Sequence, residues 1–193
     1  MTPENHGTSH PDPLAVLRAA TRPAHEAIDS AFAGGLRTRA DYRRYLRALL
    51  PLARWLDASW RSDWPAHLAC WHDPARVTRL RDDLAALGET DDAPAPAAST
   101  DVAEWLGGCY VMEGSALGAR LLSRDVDALS TGPAGDALPR GFLSSHLEDS
   151  GRWPRFRGAL ASVPRQHLPV TLGGARQGFA LVAAALAMEV EPA

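Results

Sequence analysis

Three side chains near the start of the chain have types and a spacing suited to holding a ligand. Arg18, Arg22 and His25 stand at i, i+4 and i+7 of a helical stretch, so they share one face about two turns long. A neutral imidazole is a good ligand for iron. Two guanidiniums one and two turns away could pair with carboxylates of a bound molecule. The same spacing also suits a surface histidine between solvated arginines, and spacing alone leaves both readings open. A second group lies at Tyr110-Val-Met-Glu-Gly114-Ser-Ala-Leu-Gly118-Ala-Arg120. Gly114 and Gly118 fall on one side of a helix, and without Cβ atoms there they admit either a neighbouring helix or a flat ligand. Ser115 adds a hydroxyl able to bond the preceding turn or a bound species.

The other polar candidates carry less. His67 and His72 flank Trp71 and read as surface residues, while His146, Glu148 and Asp149 sit at a polar helix end with no partner cluster. The tryptophans read as core and interface anchors. Cys70 and Cys109 are far apart and form no C-x-x-C pair, which gives no support to a disulfide framework or a thiolate zinc site. The Glu-x-x-His pairs of di-iron bundles are absent, as are Walker A, G-x-S-x-G and dinucleotide fingerprints.

The elements that must position these residues are helical almost throughout. The chain has 193 residues, 46% hydrophobic and 22% charged, which suits one domain and excludes disorder as its main state. Its net charge of −3 has the wrong sign for nucleic-acid binding through bulk charge. All basic residues are arginine and none is lysine. Leu14, Leu17, Thr21, Ala24 and Ile28 form an apolar stripe behind an Asp12-Pro13 start signal. A second helix is expected over 39–59, kinked or split at Pro51, and a third from Asp73-Pro74 to Leu87, stopped by Gly88. Residues 88–100 read as a loop, 101–124 as a helix, and 125–139 as another loop. Helical stretches follow near 140–147, 153–163 and 171–189. Gly107, Gly108, Gly114 and Gly118 inside one helix should each cost about 1 kcal/mol relative to alanine, so some gain must offset them. The expectation is an all-α domain over 13–190 behind a flexible tail of residues 1–12. With no signal-peptide pattern, and with Phe179 to Met188 too short to span a bilayer, a cytoplasmic protein without membrane attachment is expected.

Taken together, LRAATRPAHEAID (residues 17–29) and YVMEGSALGARLL (residues 110–122) resemble the biliverdin-producing heme oxygenases, closest to the bacterial branch associated with bacteriophytochromes. The resemblance implies a single helical bundle holding heme between a proximal helix and a kinked distal helix. It implies that His25 is the axial ligand to iron and that Gly114 and Gly118 are the distal glycines. Arg18 and Arg22 match basic positions near the heme propionates, and Tyr110 is a further propionate candidate. Close approach to a flat ligand would then explain the glycine-loaded helix. Heme would be both cofactor and substrate. Molecular oxygen and electrons from a ferredoxin or a flavin-dependent reductase would open its ring to biliverdin, carbon monoxide and ferrous iron.

This sequence departs from the family at two places. Ser115 stands where many members have an aspartate that organises distal water, and Ala119 stands where a further glycine is frequent. Ser144-Ser145-His146 is atypical of the aromatic-rich stretch near the heme edge, so no role is carried to it. The product would supply a bacteriophytochrome chromophore or release iron. The competing reading is a heme-carrying protein on the same fold that does not degrade its ligand. A thiaminase-like enzyme using Cys109 and a plain helical interaction module are the remaining alternatives.

Overall fold

The computed structural model describes residues 12–91, 93–131 and 137–188. The expected tail lies outside these residues except for Asp12, whose carboxylate accepts the Leu14 N–H and caps the first helix. Among the described residues seven α-helices follow in order: α1 Pro13–Ala31, α2 Arg39–Ser59, α3 Arg76–Ala86, α4 Val102–Ser130, α5 Gly141–Leu147, α6 Arg152–Ala161 and α7 Leu168–Ala187. No strand occurs among the described residues, so the all-α expectation holds.

Local chemistry explains most boundaries. Thr38 and Asp41 form a reciprocal capping box at the start of α2. Asp101 accepts the N–H groups of Ala103 and Glu104 at the start of α4. Gly88 takes φ +83° just past α3, where a left-handed residue closes the helix. Departures from expectation occur at several places, including α3, which begins at Arg76 rather than at Asp73-Pro74, and α7, which begins at Leu168 rather than near residue 171. Pro51 does not split α2, which is helical from Arg39 to Ser59. The stretch 125–130, expected as loop, extends α4 to Ser130. The extension has a tertiary cause: Asp125 accepts the Leu36 N–H at 2.9 Å and so ties α4 to the turn between α1 and α2. Gly35 in that turn has φ +72°, and a Cβ there would meet the Asp125 carboxylate at 2.6 Å.

The core is built around α2, α4 and α7, with Leu46, Leu52, Trp55, Trp105, Met112 and Phe156 fully buried. Helices α4 and α7 cross with almost no side chain between them. A Cβ on Gly107 would lie 1.9 Å from the Thr171 carbonyl oxygen, and one on Gly174 would lie 1.8 Å from that of Glu104. The expected span limit was drawn on Phe179 to Met188 alone. Arg165–Ala187 is a longer segment, enough by length and composition to cross a membrane. Its small residues Gly174, Ala175 and Gly178 are closed against α2 and α4.

One buried charge cluster ties three helices together. Glu113 on α4 is 2% exposed and pairs with Arg76 on α3 at 3.2 Å and with Arg152 on α6 at 3.0 Å. Arg152 also donates to the carbonyls of Cys70 and Trp71 and lies over the Trp71 ring. Removing one member of such a cluster leaves charge buried without compensation. Glu113→Ala should therefore cost about 3–5 kcal/mol in urea unfolding; a loss below about 1 kcal/mol would contradict the cluster's role.

Candidate functional site

The side chains singled out from the sequence converge on one cleft of about 990 Å³. Helix α1 forms one wall with Arg18, Thr21, Arg22, His25, Ile28 and Asp29. Helix α4 forms the opposite wall with Tyr110, Gly114, Ser115, Leu117, Gly118 and Leu121. Residues from α2, α6 and α7 close the base, among them Tyr45, Trp153 and Phe179. The volume is at the upper end of the range for small-molecule and cofactor sites.

His25 is held from two sides. Its Nδ1 lies 2.9 Å from the Asp29 carboxylate one turn later, and its ring meets Phe179 edge-on with centroids 5.9 Å apart. With Nδ1–H donated to Asp29, Nε2 keeps its lone pair for a ligand. A carboxylate behind an imidazole is the usual support for a metal-binding histidine, because it fixes tautomer and ring orientation. The His25 side chain is 58% exposed, so its burial does not explain its place there. Arg22 pairs loosely with Glu26 at 3.7 Å on the surface, and Arg18 is also exposed at the cleft. Tyr110 differs from these two: it is buried in the α4 wall with its ring 6.0 Å from that of Trp153.

The glycines of α4 divide into two kinds. Gly107 and Gly108 serve packing, since a Cβ at Gly108 would fall 2.2 Å from the Trp55 ring. Gly114 and Gly118 touch no helix backbone. Among the described residues, a Cβ at Gly114 would reach only ordinary contact with Trp153 at 3.6 Å, and one at Gly118 would meet nothing within 4 Å. Around them Leu117 and Leu121 remain 45% and 68% exposed. Tight helix packing, the competing account of this glycine pair, has no partner here.

Ser115 donates to the Met112 carbonyl at 2.8 Å, and its oxygen lies 3.0 Å from His146 Nε2 on α5. Asp83 on α3 places α5 by accepting the N–H groups of Gly141 and Phe142, both at 2.9 Å. His146 stacks on Phe142 with centroids 5.0 Å apart. Burial, then the guanidiniums of Arg76 and Arg152, push its pKa down to about 3, against a smaller opposing pull from Asp73. Cys109 is buried, and burial followed by the Glu113 charge pushes its thiol well up, so it is no ready nucleophile. His72 pairs with Asp57 at 2.9 Å and stacks on Trp60 away from the cleft.

Several functional positions escaped the sequence reading. Asp29 had a signal, its i+4 spacing from His25. Tyr45 lies on the buried face of α2, yet its hydroxyl has no hydrogen-bond partner among the described residues. The contacts of Trp153, Phe179 and His146 are long-range and had no local signal.

A heme oxygenase of Xanthomonas campestris pv. campestris (strain 8004) is 36% identical over 136 residues, which cover 68% of this chain and 80% of that protein. The fold is similar to a heme oxygenase structure from Leptospira interrogans, with TM-score 0.67 and 20% identity over 92% of this chain and 100% of that one. It is also similar to the NO- and CO-bound heme oxygenase from Neisseria meningitidis, with TM-score 0.64 and 20% identity over 93% and 92% of the two chains. No family model matches the chain.

The geometry gives two expected outcomes. Gly118→Ala should leave the ligand-free protein unchanged or more stable by up to about 1 kcal/mol, while Gly107→Ala should lose about 1–3 kcal/mol, both read by urea unfolding. The depressed His146 pKa has a definite sign. Between pH 6.5 and about 3 the unfolded chain binds a proton that the folded chain does not. Stability should therefore fall as pH drops below 6.5 and be insensitive to this group above it. His146→Phe should flatten that acid limb; an unchanged limb would show that other groups set it.

Proposed function

This chain belongs to the heme oxygenase family, and from that membership we propose that the cleft takes heme and cleaves it to biliverdin. The observation that carries the reading is the open slot between His25 and Gly114–Gly118, where no described residue lies within 4 Å of a Cβ at Gly118.

The residues present fit such a group. Exposed Leu117 and Leu121, with Ile28, Phe32 and Phe179, offer apolar surface on both sides of the slot. A flat apolar ligand would remove that surface from water at about 25 cal/mol per Å². His25 would hold the iron through Nε2, while Asp29 keeps Nδ1 protonated and the ring turned toward the cleft. Arg18 and Arg22 lie exposed at the cleft, where propionates would remain hydrated and paired. Tyr110 is buried, so its ring supports the α4 wall and a propionate contact is the weaker role for it. Gly114 and Gly118 let the α4 backbone approach the ligand face. Ser115 supplies the hydroxyl on that face, in place of the family's frequent aspartate. Heme, when bound, supplies the redox chemistry with molecular oxygen and external electrons, releasing carbon monoxide and ferrous iron. Water is kept from the rest of the slot by the apolar side chains.

The finer assignments belong to the same proposal. Residues 13–190 form the one domain that builds the cleft. Ser115 is the feature that favours the bacteriophytochrome-linked branch, with the bilin passed to such an acceptor. A ferredoxin or flavin-dependent reductase supplies the electrons. The cytoplasm, where heme and these donors meet, is the compartment that suits this chemistry.

Hemin titration followed in the visible spectrum tests the reading. The wild-type protein should give a stoichiometric Soret shift with a histidine axial signature. His25→Ala should lose that signature, and Gly118→Leu should block binding while helicity by circular dichroism is kept. A wild-type axial spectrum in His25→Ala would overturn the assignment of the ligand.

A further inference from the structure

A second cavity of about 320 Å³ lies on the far side of the α4 wall. It is polar, lined by residues of the α3, α5 and α6 region that include Asp73, Arg76, Ser145, His146 and Arg152. Ser115 lines the large cleft and His146 lines this second cavity, and their side chains meet at 3.0 Å. Two compartments are thus joined at one hydrogen bond. We propose that His146 and Ser115 form a proton relay that carries protons from the second cavity to the distal face of the cleft. The proposal rests on the heme oxygenase reading and deepens it, since ring cleavage consumes protons on that face.

The hydrogen-bond geometry supports a relay over a static contact. Ser115 has one hydroxyl proton and two acceptors in reach, the Met112 carbonyl at 2.8 Å and His146 Nε2 at 3.0 Å. When the hydroxyl donates to Met112, His146 must carry its proton on Nε2 and donate it to the serine oxygen. When the hydroxyl turns to His146, Nε2 is the acceptor. A rotation of the hydroxyl together with a change of imidazole tautomer separates the two arrangements. In the transfer, the Ser115 hydroxyl gives its proton to an acceptor in the cleft and takes the Nε2 proton of His146. The imidazole takes a proton at Nδ1 from water in the second cavity. One proton enters, one leaves, no electrons move, and both groups are neutral before and after. The ring returns to its starting tautomer by exchange with solvent.

Burial first, and then the charges around His146, keep the relay neutral. Arg76 of α3 and Arg152 of α6 face it, Asp73 before α3 opposes them, and Glu113 of α4 pairs with both arginines. The imidazolium form is thereby disfavoured, so the ring passes a proton without trapping it. Phe142 stacks on the ring and Asp83 anchors the helix that carries it, which fixes the 3.0 Å contact.

The test uses the full chain loaded with hemin, comparing wild type with His146→Gln and His146→Phe. His146→Gln keeps a hydrogen-bonding amide near Ser115 but cannot relay, which guards against misfolding of the bulkier change. Hemin affinity by Soret titration should be unchanged in both variants. The midpoint of the acid–alkaline spectral transition of the hemin complex should move by about half a pH unit or more. Turnover should slow at least about tenfold, with a larger solvent deuterium isotope effect. Unchanged midpoint, rate and isotope effect with hemin fully bound would overturn the relay and leave the heme oxygenase reading intact. Failure of the wild-type protein to bind hemin would overturn that reading and the relay with it.

Discussion

Along α4 the space above each glycine widens in chain order, and this gradient decides where the molecule is solid and where it is open. At Gly107 the backbone of α7 sits where a Cβ would be, and at Gly108 the Trp55 ring does. Among the described residues, at Gly114 only the edge of Trp153 is in contact range, and at Gly118 there is nothing. The α4–α7 crossing therefore pins one half of the long helix while its other half stands away from its neighbours. Helix α1 faces that second half, and the slot between them is where His25 and the distal glycines meet. The same residue type serves two ends: at Gly107 and Gly174 it lets two helices touch, and at Gly114 and Gly118 it leaves room for a ligand.

Electrostatics orders the region behind this wall. Glu113 faces away from the slot and compensates Arg76 and Arg152, two guanidiniums that would otherwise be costly to enclose. Burial, reinforced by those arginines, holds His146 neutral beside Ser115. The wall of the heme site is thus apolar and glycine-rich on one face and ionic on the other, with one hydrogen bond crossing it. Ser115 carries no negative charge, and the structure gives it an imidazole partner.

Much of this was legible in the sequence because it is local. Helical periodicity, the Asp12 cap and the Gly88 stop are encoded within a few residues. The two family-like segments placed His25, Gly114 and Gly118 opposite each other. What stayed hidden depends on distant partners. The helical path through 125–130 needs the Leu36 N–H to donate to the Asp125 carboxylate, 89 positions away. Pro51 is carried within α2 because buried neighbours on both sides, Leu50 and Leu52, fix that helix in the core. The division of labour among the four glycines rests on α7 and Trp55, which no window around residue 107 contains. His146 looked like an unpartnered helix end because its partner lies 31 residues earlier on another helix.

The central claim is that this cleft turns over the ligand it binds. The direct measurement is aerobic turnover of the hemin-loaded protein with a reductant and catalase, followed across the visible spectrum. The account predicts loss of the Soret band with growth of a biliverdin absorption. A Soret band that persists under reductant and oxygen, with hemin fully bound, would contradict it and leave a protein that carries heme without degrading it.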